Sequence, residues 1–338
     1  MIHETGIVFH EDCRLHRQGL GHPERPQRIS ACVEHLKETG VWGGVEVVAP
    51  SPASEEDVLK VHSREHVDRV RRASDAGGGF LDSDTYACPD TYRVALLASG
   101  GLNCAADAII DKRVSNAFAL IRPPGHHAER DKAMGFCYFN NPAVCARHLQ
   151  NTHGLGRILI LDWDAHAGNG TTSIFYGDAS VMVVSIHQDP LTLYPGTGFA
   201  DEEGEGDGLG YTVNIPMPPG SGDAEYALVF DELVVERVDD FKPDFIIASA
   251  GFDSHRDDPL SSLNVTEEGY DYMTGRLMEF AERHCKGRLL IELEGGYNLD
   301  SLSSSVNSVI ETLTGAKTPQ IKGCEADRRV KELVRKKI

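Results

Sequence analysis

Residues 162–166 read Asp162-Trp163-Asp164-Ala165-His166 and follow directly on the apolar run Ile158-Leu159-Ile160-Leu161. A short buried strand that delivers two carboxylates and an imidazole to its carboxyl end is one way to build a metal site in an α/β protein. In extended chain, residues two apart face the same way, so Asp164 and His166 can grip one ion together. With Asp253, at a second strand end, they make three ligands of the kind Zn²⁺ accepts, leaving positions open for water and substrate. Two carboxylates and one imidazole are harder than three imidazoles, so Fe²⁺ or Mn²⁺ is also compatible. A closed structural zinc site would draw on cysteines, and none lies in these motifs. The donor set points to carbonyl polarisation and water activation.

His126 and His127 are adjacent, and the preceding Pro123-Pro124-Gly125 can form the constrained turn that aims both rings into one pocket. One imidazole as general base on water, with the other as acid or electrostatic partner, fits amide hydrolysis. Each ring needs an orienting group on its far nitrogen, and Asp162 and Asn169 sit in the neighbouring turn. A carboxylate raises imidazole basicity more than an amide does, so the two histidines should differ in pKa. Tyr297, after Gly295-Gly296, can hydrogen-bond a developing oxyanion.

These residues must be positioned by the elements around them. Apolar, β-rich runs recur at 6–9, 117–121, 158–161, 181–186, 245–250 and 289–293, with helix-like segments at 93–110, 142–150, 223–238 and 266–284. Strands alternating with helices predict α/β architecture: a single open, mainly parallel β-sheet with helices on both faces. In such a sheet the turns carrying His126-His127, Asp162/Asp164/His166, Asp253 and Tyr297 all open onto one edge, where ligands bind. One domain over 1–338 is the simplest reading. The Arg- and Lys-rich segment 325–338 is expected to be an exposed, solvated terminal helix.

Composition bounds the alternatives. The chain has 338 residues, 41% hydrophobic and 25% charged, with a formal net charge of −19. That charge argues against a broad nucleic-acid footprint and suits a cationic substrate. No apolar stretch approaches the ~18 residues of a membrane span. The N-terminus lacks a basic and apolar signal pattern, and the 8 scattered cysteines read as reduced thiols, so a cytoplasmic location is expected.

The motifs together resemble the zinc-dependent histone deacetylase family, with the arginase–deacetylase fold. In order they are His22-Pro23-Glu24-Arg25-Pro26-Gln27-Arg28, residues 122–128, Gly135-Phe136-Cys137-Tyr138-Phe139-Asn140-Asn141 and residues 162–171. Ser185-Ile186-His187, Tyr194-Pro195-Gly196-Thr197-Gly198, Gly251-Phe252-Asp253 and Glu294-Gly295-Gly296-Tyr297 follow. The resemblance implies a deacetylase that removes acetyl or related acyl groups from lysine ε-amines of proteins or peptides. Small acetylated amines, polyamines or longer acyl chains are the alternative substrates. It further implies zinc on Asp164, His166 and Asp253, and catalysis by His126, His127 and Tyr297. Asp162 looks like the partner of His126 and, with Ser185 and the backbone of residues 164, 166 and Ile186, like a structural K⁺ site. Phe175, Asp178, Val181 and Tyr211 resemble the backbone ligands of a second K⁺ site. Phe136, next to Gly135, and Tyr194 resemble aromatic walls around the acyl-lysine methylenes, and Arg28 resembles the arginine of an inner acetate channel. The expected partner is thus an acetylated lysine peptide or protein, or a small acetylated amine. No nucleic acid or membrane is expected, and a homo-oligomer is compatible.

The chain departs from its relatives in places. Ala167 stands where many carry a second His after the ligand, which puts the packing beneath the metal in question. Asn169 and the Asp162-Trp163-Asp164 form resemble the class II branch. Leu260 stands where polyamine-selecting relatives carry a Glu, which leans away from strict polyamine specificity. His62-Ser63-Arg64-Glu65-His66 matches the H-x-x-E-H pattern of some zinc peptidases. Ser63 is a good N-cap for 64–72, however, which leaves His62 outside that helix. The acidic, glycine-rich residues 201–208 fit no calcium or phosphate loop and read as a mobile, solvated loop beside the pocket.

Overall fold

Apolar runs become strands where both faces of the chain are covered. The computed structural model describes residues 4–321 and 326–337. Its strands are β1 (Thr5–Val8), β2 (Glu46–Val48), β3 (Gly79–Asp82), β4 (Thr85–Ala87) and β5 (Asn116–Ala119), then β6 (Ile158–Asp162), β7 (Val181–Gln188), β8 (Thr212–Met217), β9 (Phe245–Ala250) and β10 (Leu289–Leu293). β3 and β4 form a separate antiparallel hairpin. The others make one parallel sheet in the order β2-β1-β5-β10-β9-β6-β7-β8. Side chains alternate across it: Leu159 and Leu161 join Phe118, Ile246 and Ile291 in one layer, while Ile158 and Ile160 join Ala117, Ile247 and Leu290 in the other. Each of these Leu, Ile and Phe side chains contributes about 1.5–3 kcal/mol when fully buried, so the two layers dominate the stability of the sheet.

The strand order carries the functional consequence. β5, β10, β9 and β6 are neighbours, and parallel register pairs Asp162 with Ser249 and Leu293 with Ala250. Their carboxyl ends therefore deliver residues 122–127, 294–297, 251–253 and 162–166 to one stretch of sheet edge.

The expected helices form as Thr91–Ile110, Asn141–His153 and Glu267–Cys285, and as Asp223–Leu228 and Val235–Phe241 joined through a π-turn at Val229–Val234. Asn140 caps the second of these by accepting the Ala143 amide, Pro142 sits in its first turn, and Gly154 ends it in the left-handed region. The Asn140 amide also donates to the carbonyls of His126 (3.4 Å) and Ala128 (3.1 Å), so the cap fastens the tandem-histidine turn. Helices Gln27–Glu38 and Leu299–Leu313, and strands β2 and β8, had no counterpart in the sequence reading.

Three expectations need correction. Helix Thr91–Ile110 does reach the length and apolar composition of a membrane span. It serves as a core helix, with Val94, Ala98, Leu102, Ala105 and Ile109 buried. The terminal helix, Arg328–Lys337, is not solvated all round: Val330 and Val334 are fully buried against the main core. Those two valines, four apart, form an apolar stripe on a charged helix. Glu325 and Ile338 lie outside the described residues. The acidic loop is anchored rather than free, since Glu205 N–H donates to Tyr176 O and Glu202 accepts the Gly198 amide.

The H-x-x-E-H pattern has a structural role. His62 precedes helix Arg64–Asp75, whose N-cap is Ser63. Its Nδ1 faces Glu129 O and its Nε2 accepts the Asn140 amide, both at 2.9 Å. That amide requires a neutral ring. Burial, aided by neighbouring His66, pulls the His62 pKa down to about 3. An unfolded histidine binds its proton at about 6.5, so this neutral ring stabilises the fold above that pH. Its contribution falls away as pH drops from about 6.5 towards 3. Glutamine keeps a donor and an acceptor without titrating. In His62→Gln, the decline of the urea midpoint across this window should flatten, and an unchanged decline would contradict the assignment.

Candidate active site

Past β6 the chain turns so that Asp164 and His166 face the ends of β9 and β10. His166 Nδ1 lies 3.0 Å from Asp164 Oδ1 and 2.9 Å from Asp253 Oδ2. These donor atoms all fall within 4.8 Å of one another. The remaining oxygens take backbone amides: Gly295 N–H donates to Asp164 Oδ2 (2.8 Å) and Ala165 N–H to Asp253 Oδ1 (2.9 Å). Both carboxylates are buried, and a cation between them would relieve their repulsion. Although burial opposes its charge, hydrogen bonds to Asp164 and Asp253 push the His166 pKa up to about 10. Against its own burial, Asp164 is pulled down by His126 and His166, while burial and Asp164 push Asp253 up. The His166 proton occupies the place of a shared cation. The set fits a divalent ion, whose binding displaces that proton. Gly251 and Gly295 leave the room: a Cβ at either position would overlap Asp164 Oδ2.

The tandem histidines are held in different states. His126 Nδ1 donates to Asp162 Oδ2 at 2.8 Å, and its Nε2 lies 3.9 Å from Asp164 Oδ1. His127 Nδ1 lies 2.7 Å from Asn169 Oδ1. The Asn169 amide nitrogen donates to Glu129 Oε1 (2.9 Å), which leaves its oxygen to accept. His127 therefore carries its proton on Nδ1 and keeps the Nε2 lone pair free. The rings stand 4.0 Å apart, too close for both to be charged. Burial disfavours the charge of His126, but Asp162, Asp164 and Glu294 hold its pKa well above the ordinary value. Burial, then the charges of His126 and His166, hold His127 well below. The turn itself is clamped by Glu294, which accepts the amides of Gly125 (2.8 Å) and His126 (3.0 Å).

Tyr297 is buried beside this cluster. Its amide donates to Asp258 Oδ2 at 2.6 Å, and Arg28 lies 5.0 Å from the ring centre. Burial foremost, then Asp253, keeps the phenol protonated, so it can donate a hydrogen bond. Phe136 meets the Tyr297 ring edge-on at 6.0 Å, and Tyr194, 39% exposed, meets His127 edge-on at 5.2 Å. Gly135 and Phe136 adopt positive φ (54° and 69°), and a Cβ on Gly135 would overlap the His127 ring. Leu260, half-buried, is held through its amide, which donates to Asp258 Oδ1 at 3.0 Å.

Asp162 and Ser185 are register partners on β6 and β7, with Ile186 buried next to them. Ser185 Oγ is engaged with His187 Nδ1 at 2.8 Å. Farther off, the carbonyls of Phe175, Asp178 and Tyr211 accept the amides of Asp178, Val181 and Val183. Arg147 stacks over Phe175 at 4.8 Å and pairs with the Asp178 side chain at 2.7 Å. Ala167 is buried beneath Gly198, whose carbonyl is 2.8 Å from His187 Nε2. His187 thus occupies the space beside Ala167.

Several contributors are not marked by local sequence pattern: Asp258, Glu129, the Glu294 clamp and the pairing of Glu24 with Arg122. Glu24 and Arg122 form a buried bidentate pair, Nε–Oε1 2.5 Å and Nη2–Oε2 2.8 Å. Arg28 reaches the same carboxylate at 3.4 Å and donates to Gly296 O at 2.6 Å. This network supports the turn of Tyr297 from below.

Comparison with known proteins identifies the family. The histone deacetylase domain matches residues 22–313. A probable deacetylase of Archaeoglobus fulgidus is 47% identical over 314 residues, covering 92% of this chain and 86% of the relative. A histone deacetylase-like amidohydrolase of Pseudomonas aeruginosa is 35% identical, covering 94% of this chain and 88% of the relative. Histone deacetylase 15 of Arabidopsis thaliana is 42% identical over 95% of this chain, which spans 60% of that relative. The crystal structure of the HDA15 HD domain superposes with a TM-score of 0.91 at 41% identity, covering 99% of this chain and 93% of that one. The chain belongs to the histone deacetylase family, and its sheet has the fold of a histone deacetylase. Membership supports an enzyme of the deacetylase and amidohydrolase type, acting on acetylated amides.

Glu24→Ala strips the counter-charge from two buried guanidiniums. The expected loss is about 3–5 kcal/mol of unfolding free energy in urea titrations. A loss below about 1 kcal/mol would contradict the network's role.

Proposed function

We propose that this chain is a zinc-dependent hydrolase that removes acetyl or related acyl groups from lysine ε-amines of proteins or peptides. One observation carries the reading: His126, bonded to the Asp162 carboxylate, and His127, bonded to the Asn169 amide, stand beside the Asp164–His166–Asp253 donor set. Those three residues would hold the metal, with Fe²⁺ a compatible ion. When bound, a divalent cation supplies Lewis-acid polarisation of the amide carbonyl and makes water more acidic.

The chain's own groups do the rest. His127 Nε2 takes a proton from the attacking water and passes it to the departing amine. Imidazolium His126, held by Asp162, stabilises the negative charge of the addition step. The Tyr297 hydroxyl donates to the carbonyl oxygen as it becomes an oxyanion. Asn169 keeps His127 in the base tautomer. Phe136 and Tyr194 flank the acyl-lysine methylenes, with Gly135 leaving room beside His127. Leu260, an apolar residue at the polyamine gatekeeper position, favours lysine substrates over polyamines. K⁺ at Asp162, Ser185 and Ile186 would stiffen the same strand end. A second K⁺ would bind the carbonyls of Phe175, Asp178, Val181 and Tyr211. Strands from Thr5 to Leu293 in one sheet support reading the chain as one deacetylase unit.

The direct experiment compares turnover of an acetyl-lysine peptide, acetylputrescine and a fatty-acyl peptide. The acetyl-lysine peptide should be the best substrate, and acetylputrescine outpacing it would overturn the lysine assignment. Tyr297→Phe should cut kcat by about 10²–10³, the usual cost of one oxyanion donor. Near-normal turnover in that variant would refute its role. Asn169→Asp replaces an amide with a carboxylate, which favours the charged form of His127 and raises its pKa. The acid limb of kcat/KM should then move to higher pH, and an unmoved limb would exclude His127 as the base.

A further inference from the structure

Away from the sheet edge, helices Thr91–Ile110 and Asn141–His153 bring Asp107, His148 and His153 together. Asp107 Oδ1 lies 2.7 Å from both His148 Nε2 and His153 Nε2. These three donor atoms fall within 4.8 Å of one another, and the imidazoles meet edge-on at 5.5 Å. The imidazoles are only 13% and 19% exposed, whereas the carboxylate is 40% exposed. Both nitrogens are thus fixed in the protein wall, and the open side faces water. His148 Nδ1 lies 3.3 Å from Thr152 Oγ1, one helical turn on. That hydroxyl can accept from Nδ1–H, which leaves the Nε2 lone pair free for an ion. His153 ends its helix, and Gly154, at φ 66°, turns the chain away from the site.

We propose that Asp107, His148 and His153 form a second, solvent-accessible site for a borderline divalent transition ion such as Zn²⁺ or Ni²⁺. Two imidazoles and a carboxylate are donors these ions accept, and water from the open side completes the shell. Two ring N–H groups sharing one partly exposed carboxylate oxygen give a weaker arrangement than three bonds to a cation. The site plays no part in the reaction proposed above. It ties the two helices together, and the second is capped by Asn140, which fastens the tandem-histidine turn. An ion bound there stabilises the folded state by mass action.

Equilibrium dialysis of the full chain against Zn²⁺, with the metal measured by emission spectroscopy, tests this. Wild type should bind one equivalent more than His148→Ala or His153→Ala. His153→Gln, which can keep a hydrogen bond to Asp107, should lose the same equivalent while its metal-free melting temperature stays at the wild-type value. Added Ni²⁺ should raise the melting temperature of wild type above that of each variant. Equal stoichiometry in wild type and all three variants would overturn the proposal and leave a hydrogen-bonded tie. The comparison leaves Asp164, His166 and Asp253 untouched, so its failure is separate from failure of the proposed catalytic site.

Discussion

The carboxylates of Asp162, Asp164, Asp253, Glu292 and Glu294 are buried together at the carboxyl edge of one sheet, and the rest of the site answers that concentration of negative charge. Uncompensated, even one such group would cost several kcal/mol. The fold meets the problem locally and differently at each position. Glu294 and Asp253 draw on backbone amides, Asp162 and Asp164 face imidazoles, and burial with the nearby Glu294 keeps Glu292 protonated. Glycines at 251 and 295 let these groups approach closely. The remaining deficit lies between Asp164 and Asp253, where a divalent cation fits.

The same field separates the tandem histidines. Adjacent in sequence, they would titrate alike in water. Against burial, Asp162, with Asp164 and Glu294 nearby, favours the charged form of His126. Burial and the charges of His126 and His166 favour the neutral form of His127, whose far nitrogen meets only an amide. Rings 4.0 Å apart reinforce the split, because charging the first disfavours charging the second. Chemistry at this edge follows from which neighbour each far nitrogen meets.

Much of this was visible in the chain because strands buried on both faces read as unbroken apolar runs. The runs at 158–161, 245–250 and 289–293 therefore marked both the strands and the turns that end them. β8 (Thr212–Met217) escaped because Asn214 and Pro216 interrupt its apolar pattern, and β2 because it is three residues long at the sheet edge. Helix Leu299–Leu313 carries buried serines, which look like loop residues in sequence. The terminal helix reads as solvated in sequence because its charges outnumber the buried pair Val330 and Val334. Pairings across long separations, such as Glu24 with Arg122 and Asp258 with the Tyr297 amide, leave no local trace in the chain. They arise from tertiary closeness alone.

The central claim is that Asp164, His166 and Asp253 hold the ion that makes this edge catalytic. Anomalous diffraction at the zinc edge, from crystals of an active preparation, addresses it most directly. A strong peak bounded by His166 Nδ1 and the facing oxygens of Asp164 and Asp253 is the predicted result. An active preparation with no anomalous density between those three residues would contradict the account.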